Sequence, residues 1–128
     1  MFTPMLRLTP GERDCIVKMA SAFASDEERV QLLQDIDSIA IELSTASEIL
    51  GFHIDGYVRP PYRGQAMFKG KDGFPIEGVV EDKDGEETVV LLFADQNYRV
   101  LELELVKPSG KPVLEPQWAS FRLNWGIE

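Results

Sequence analysis

Hydrophobic positions recur first with a helical period and then with a strand period, and the switch falls near Ser38. Thr9-Pro10-Gly11-Glu12 predicts a helix start: Thr9 can cap, Pro10 suits the first helical position, and Glu12 stands three residues after the cap. Ile16, Met19, Ala20 and Phe23 then give one apolar stripe. Ser25 and Glu28 repeat the capping pattern, and Val30, Leu33 and Ile36 continue the period. Two helices are therefore expected near 10–23 and 26–36, as an αα-hairpin.

Beyond Ser38, Ile39, Ile41 and Leu43 alternate with polar or small residues, which predicts a half-buried strand. Ile49, Leu50, Phe52 and Ile54 predict a second, closed by Asp55-Gly56. Tyr57 to Lys71 carries Arg59, Arg63, Lys69 and Lys71 and no acid. Pro60-Pro61 forces extended chain there, so a loop is expected, then a strand near 65–69. Asp72-Gly73 turns the chain into a strand over 74–82.

Glu77 to Lys107 predicts three consecutive antiparallel strands with turns at Asp84-Gly85, as a two-residue hairpin, and near Gln96-Asn97. Val89 to Ala94 is apolar at every position, as in a central strand covered on both faces or nearly so. Pro108, Gly110, Pro112 and Pro116 mark a connector, and Trp118, Phe121 and Trp125 a ring-rich tail folded over the core. The expected fold is α+β, one domain over 1–128: two N-terminal helices packed on one face of an antiparallel meander sheet of about five strands.

The net charge of −9 disfavours phosphate-rich ligands, so neither nucleic acid nor membrane is an expected partner, and it favours a basic protein. The acids concentrate in Asp26–Asp55, eight against Arg29 alone, and in Glu77–Glu104, nine against two bases. The basic loop 59–71 is expected to pair with the chain's own carboxylates. One cysteine precludes an internal disulfide. The opening residues lack a signal-peptide pattern, so a cytoplasmic location is expected.

Catalytic and metal signatures fail on spacing. Aligning Gly85 to the sixth position of a calcium loop puts Val80 first and Leu91 twelfth, and neither can ligate. Cys15 and His53, the only thiol and imidazole, cannot build a closed zinc site. No GxSxG elbow would pair with His53, and no phosphate-binding glycine motif opens a helix. Cys15 is expected to pack in the core and His53 to face outward between Phe52 and Ile54. No cofactor is expected.

Glu81-Asp82-Lys83-Asp84-Gly85, Asp95-Gln96-Asn97 and Leu101-Glu102-Leu103-Glu104-Leu105 resemble the turns and strand of small acidic bacterial immunity proteins, those of contact-dependent growth inhibition and related polymorphic toxin systems. The resemblance covers the middle and C-terminal half. It implies a non-enzymatic protein that binds one cognate toxin domain and blocks its active site; a monomer or weak dimer is expected. These families share no catalytic residues to carry over. The contact residues expected from the acidic segments are Asp35, Asp37, Glu48, Asp55, Asp82, Asp84, Glu86 and Glu87. A second reading is a small-molecule-binding or scaffold module with a pocket between helices and sheet, gated by the basic loop.

Overall fold

The computed structural model describes residues 5–23, 25–42, 48–61, 76–95, 97 and 99–123. Among them the chain forms two helices, α1 (Pro10–Ala20) and α2 (Asp26–Asp35), a short 3₁₀ turn (Ile36–Ser38), and seven strands. The strands are β1 (Met5–Arg7), β2 (Ile39–Glu42), β3 (Ile49–Ile54), β4 (Ile76–Asp82), β5 (Glu87–Ala94), β6 (Val100–Val106) and β7 (Pro116–Leu123). One antiparallel sheet takes them in the order β1-β2-β3-β6-β5-β4-β7.

The fold is α+β as expected, but the sheet has seven strands rather than about five. Both additions are edges. β1 is three residues, too short to leave a periodic signal, and it pairs Leu6 with Ile41. β7 is the aromatic tail, which pairs with β4 as a strand while its Phe121 enters the core and its Trp118 packs against it. The central meander β4-β5-β6 forms as its sequence suggests. The strand expected near 65–69, the start at Phe74, Leu43 and Trp125 lie outside the described residues.

Local chemistry fixes the elements. The Thr9 hydroxyl accepts from the Glu12 N–H (3.2 Å) and the Glu12 carboxylate accepts from the Thr9 N–H (2.9 Å), the reciprocal cap that starts α1. The Ser25 hydroxyl accepts from the N–H groups of Glu27 and Glu28 at the start of α2. The β4–β5 turn is longer than the expected two residues. Gly85 N–H donates to the Asp82 carbonyl and Asp82 N–H to the Glu86 carbonyl, with Gly85 alone at positive φ (+86°). A three-residue loop of this kind needs left-handed backbone at one position only, and glycine supplies it. The β5–β6 connection is also wider: Asp95 N–H donates to the Arg99 carbonyl (2.9 Å), and the Asp95 carboxylate accepts from the N–H groups of Asn97 and Arg99. Gln96 lies outside the described residues.

The core lies between the helices and one sheet face. Ile16, Met19 and Phe23 from the helical layer meet Ile39, Phe52, Ile76, Val80, Val90, Leu92 and Leu103. α1 runs across β4 and β7. Its contact with β7 is tight, since a Cβ on Gly11 would stand 2.8 Å from the Trp118 Cβ. Gly78 in β4 is a cradle for the Phe121 ring across the β4–β7 bulge, and a Cβ there would collide with that ring.

The α2 helix buries a different side from the one its apolar spacing suggests. Leu32, Asp35 and the following Ile36 face inward, while Val30 and Leu33 remain exposed. Leu32 and Ile36 fill the core on this side, and Asp35 beside them is paired with Arg99 at 2.7 Å.

Replacing Gly78 with Ala is expected to destabilise the fold by about 1–3 kcal/mol in urea unfolding, the usual cost of overpacking. Phe121→Leu in the same chain should restore part of that loss, and a fully additive double variant would place the strain elsewhere.

Candidate protein interaction surface

Two polar clusters stand at opposite ends of β5 and β6. At the Ala94 end, Asp95 accepts from the Tyr57 hydroxyl (2.6 Å) and from Arg59 (2.9 Å). Arg59 also donates to the carbonyls of Phe52 and Val100, stitching the chain after β3 onto β6. The Tyr57 ring lies under the Arg99 guanidinium, 4.3 Å from its centroid. Arg99 reaches on to Asp35 with two bonds of 2.7 and 2.8 Å, and Gln31 donates to the same carboxylate. Burial, with the hydrogen bond to Asp95, pushes the Tyr57 hydroxyl above its ordinary pKa. Arg59, read as part of a self-pairing basic loop, does pair with the chain's own carboxylate; Arg63, Lys69 and Lys71 lie outside the described residues.

At the other end Lys107 is buried and donates to Asp82 (2.8 Å), Asp84 (2.6 Å) and the Pro112 carbonyl, with Glu86 at 3.5 Å. Asp82 also accepts from the N–H groups of Lys83, Leu114 and Glu115, so it anchors the connector after β6. Burial alone would raise the Asp82 carboxyl, but Lys107 and the three backbone donors outweigh it and hold it well below the carboxylate range. Burial opposes the charge on Lys107 too, and Asp82 and Asp84 outweigh it, raising the ammonium pKa. Among the described residues no group of three or more His, Cys, Asp or Glu is placed to hold a metal ion.

The eight acids expected at a partner surface therefore divide. Asp35 (4% exposed) and Asp82 (2%) are interior anchors and are corrected out of that surface. Their burial follows from fixed cations, Arg99 and Lys107, that an acid-rich composition does not reveal. Asp37 and Asp55 are exposed but paired with Arg13 (2.6 Å) and Arg7 (3.1 Å). Asp84 and Glu86 border Lys107, and Glu87 pairs with Arg122 at 2.6 Å. Glu48 is half-buried, with its carbonyl accepting from Leu105 N–H and its carboxylate near Val113 N–H.

A surface that those eight residues largely miss lies on the sheet face turned away from the helices. Register puts Glu42 and His53 from β2 and β3, Glu102 and Glu104 from β6, and Glu81 and Glu87 from β4 and β5 on that side. Ile49, Val79, Val89, Leu91, Phe93 and Val106 share it. On this face Ala40 and Val79 are buried, and Val89, Leu91 and Phe93 are half-buried. Glu102 and Glu104 are half-buried, and among the described residues neither has a cationic partner. Burial and the neighbouring Glu104 raise the Glu102 carboxyl above its ordinary range. β5 was expected to be covered on both faces or nearly so; its Val89, Leu91 and Phe93 are half-buried instead. The apolar run concealed the acids because they sit on the neighbouring strand.

The remaining candidates have structural places. Cys15 is buried beside Met19 (Sγ to Sδ 3.9 Å), and burial pushes its thiol up to about 12, far from a reactive thiolate. His53 faces outward, 3.7 Å from Glu42. The second reading places a pocket between helices and sheet; Ile16, Met19, Phe23, Leu32, Leu92 and Leu103 fill that space. No described helix is long and apolar enough to cross a membrane. Comparison with protein-family models, curated proteins and solved structures finds no match.

Arg99→Met strands the Asp35 carboxylate in the interior, and the expected loss is about 3–5 kcal/mol by denaturant unfolding. The Asp82 and Lys107 shifts contribute to the acid and alkaline limbs of the pH profile, where the lowered Asp84 adds to the first and the raised Cys15 and Tyr57 to the second. Stability from Asp82 is complete above the unfolded value of about 4 and is lost as pH falls through its lower folded value. Stability from Lys107 is complete below about 10.4 and is lost as pH rises through its higher folded value. Melting should be level between about pH 6 and 9 and decline on both sides, with Asp82→Asn flattening the acid limb. An acid limb unchanged in that variant would put the titrating group elsewhere.

Proposed function

We propose that this chain is an immunity-type protein that binds a basic, nuclease-type toxin domain and occludes its active site. The observation that carries this reading is the pair Glu102 and Glu104, held half-buried on an apolar sheet face with no cation of their own among the described residues. Among the described residues nothing offsets that placement. A cationic partner would relieve it and would be steered toward it from a distance. The net charge of −9 supports the same partner chemistry. Occlusion needs no catalytic group, in keeping with a buried, protonated Cys15 and a surface His53.

The reading is tested by co-expressing the chain with a basic, nuclease-type toxin domain, taken from the neighbouring reading frame where that frame encodes one. One-to-one binding and loss of that domain's toxicity are expected; undiminished toxicity despite soluble expression of both would overturn it. Glu102→Gln with Glu104→Gln should slow association about three- to ten-fold at low salt and shrink its salt dependence. The sign of the stability effect is opposite. A carboxyl raised in the folded state weakens folding once ionised, so Glu102→Gln should raise the melting temperature at neutral pH.

A further inference from the structure

Gly51 sits inside β3, where glycine weakens a strand, and among the described residues no structural need accounts for it. Positive φ belongs to Gly56, Gly85 and Gly110, not to Gly51, so an ordinary residue would suit its backbone. Gly11 and Gly78 make room for Trp118 and Phe121, whereas a Cβ on Gly51 would meet nothing within 4 Å. Alternation turns Leu50, Phe52 and Ile54 to the core and Gly51, with Ile49 and His53, to the outer face. There Glu42 of β2 and Glu102 of β6 are the direct register partners of Gly51, one on each side. The result is a notch one residue wide. Its floor is backbone, its walls are two carboxylates, and Ile49 and His53 stand at its ends. The notch is open to solvent, with the His53 and Glu42 side chains 51% and 45% exposed. Glu42 has the His53 ring at 3.7 Å, and among the described residues neither wall has a Lys or Arg partner.

We infer that the notch over Gly51 receives an arginine side chain of the partner protein. Glycine inside a strand marks a place where a ligand comes close to the backbone, and the two walls fix the sign of its charge. The walls stand two strand spacings apart, roughly 10 Å between backbones. A guanidinium lying over Gly51 has N–H donors on both edges and reaches the two carboxylates together, whereas an ammonium is a point charge that meets one wall. Ile49 offers apolar contact to the methylene stem. Any side chain at position 51 would fill the floor and hold the guanidinium off the sheet, which gives the glycine its use. A second copy of this chain does not fit, because its matching face would set carboxylates against Glu42 and Glu102. The inference rests on the proposed function for the partner's identity and deepens it by naming the contact, while the notch itself is tested without that partner.

The test titrates the ¹⁵N-labelled full chain at low salt with N-acetyl-arginine amide, and separately with N-acetyl-citrulline amide, its uncharged counterpart. The arginine probe is expected to shift the amides of Glu42, Gly51 and Glu102 saturably, and the citrulline probe to leave them unmoved. Gly51→Val should abolish those shifts at an equal or higher melting temperature, because valine suits a strand better than glycine. Gly51→Ala makes the same test in a smaller step and should weaken them in part. Glu42→Gln should weaken the probe's affinity about two- to three-fold and reduce its salt dependence. No saturable shift, equal shifts with citrulline, or shifts that survive Gly51→Val would each overturn the notch. Against the toxin domain, Gly51→Val should weaken binding about ten-fold or more. A domain held equally well by Gly51→Val and the native chain would overturn this inference and leave the proposed function standing. Arginine-specific shifts at the notch with no domain neutralised would overturn the function and leave the notch.

Discussion

The ion pair between Asp35 and Arg99 ties the helical layer to the sheet at one fixed point. Two short bonds join a carboxylate on the last turn of α2 to a guanidinium at the start of β6, so the helical layer and the sheet are registered by a directional contact as well as by apolar packing. Arg99 also lies on Tyr57, and Tyr57 and Arg59 close on Asp95. One end of the sheet is thus a continuous polar chain from α2 to the segment after β3. A desolvated pair of this kind contributes specificity more readily than net stability.

Much of the architecture can be read from the chain. The capping residues Thr9, Ser25 and Glu12 mark both helix starts, and the apolar run from Val89 to Ala94 marks a central strand, because these signals are local. What escapes is non-local. β1 is too short for periodicity and exists through pairing with β2. β7 looks irregular because its Pro, Gln, Trp and Ser pattern has no clean alternation, and its place depends on the space above Gly78. The phase of α2 is misread because Val30 and Leu33 are better core residues by type than Asp35, which is buried beside Arg99.

The same limit governs the surface. A count of acids marks where negative charge is dense but cannot tell a neutralised carboxylate from a spare one. Asp82, Asp84 and Glu86 look like the heart of an acidic patch, and they gather around a single buried ammonium that fastens the connector to the sheet. Glu102 and Glu104 look like ordinary outward positions on a strand, and they stand half-buried among apolar neighbours. Compensation inside the fold therefore moves the recognisable surplus away from the densest stretches of sequence.

The placement of Cys15 has a practical consequence. Its sulfur is sealed between α1 and the sheet, so a thiol reagent in the surrounding buffer has no route to it while the layers stay together. Modification would then proceed only through openings that separate helix from sheet, and its rate would report how often such openings occur. The chain carries one such reporter, so labelling kinetics would count the separation of its two layers directly, without an added probe.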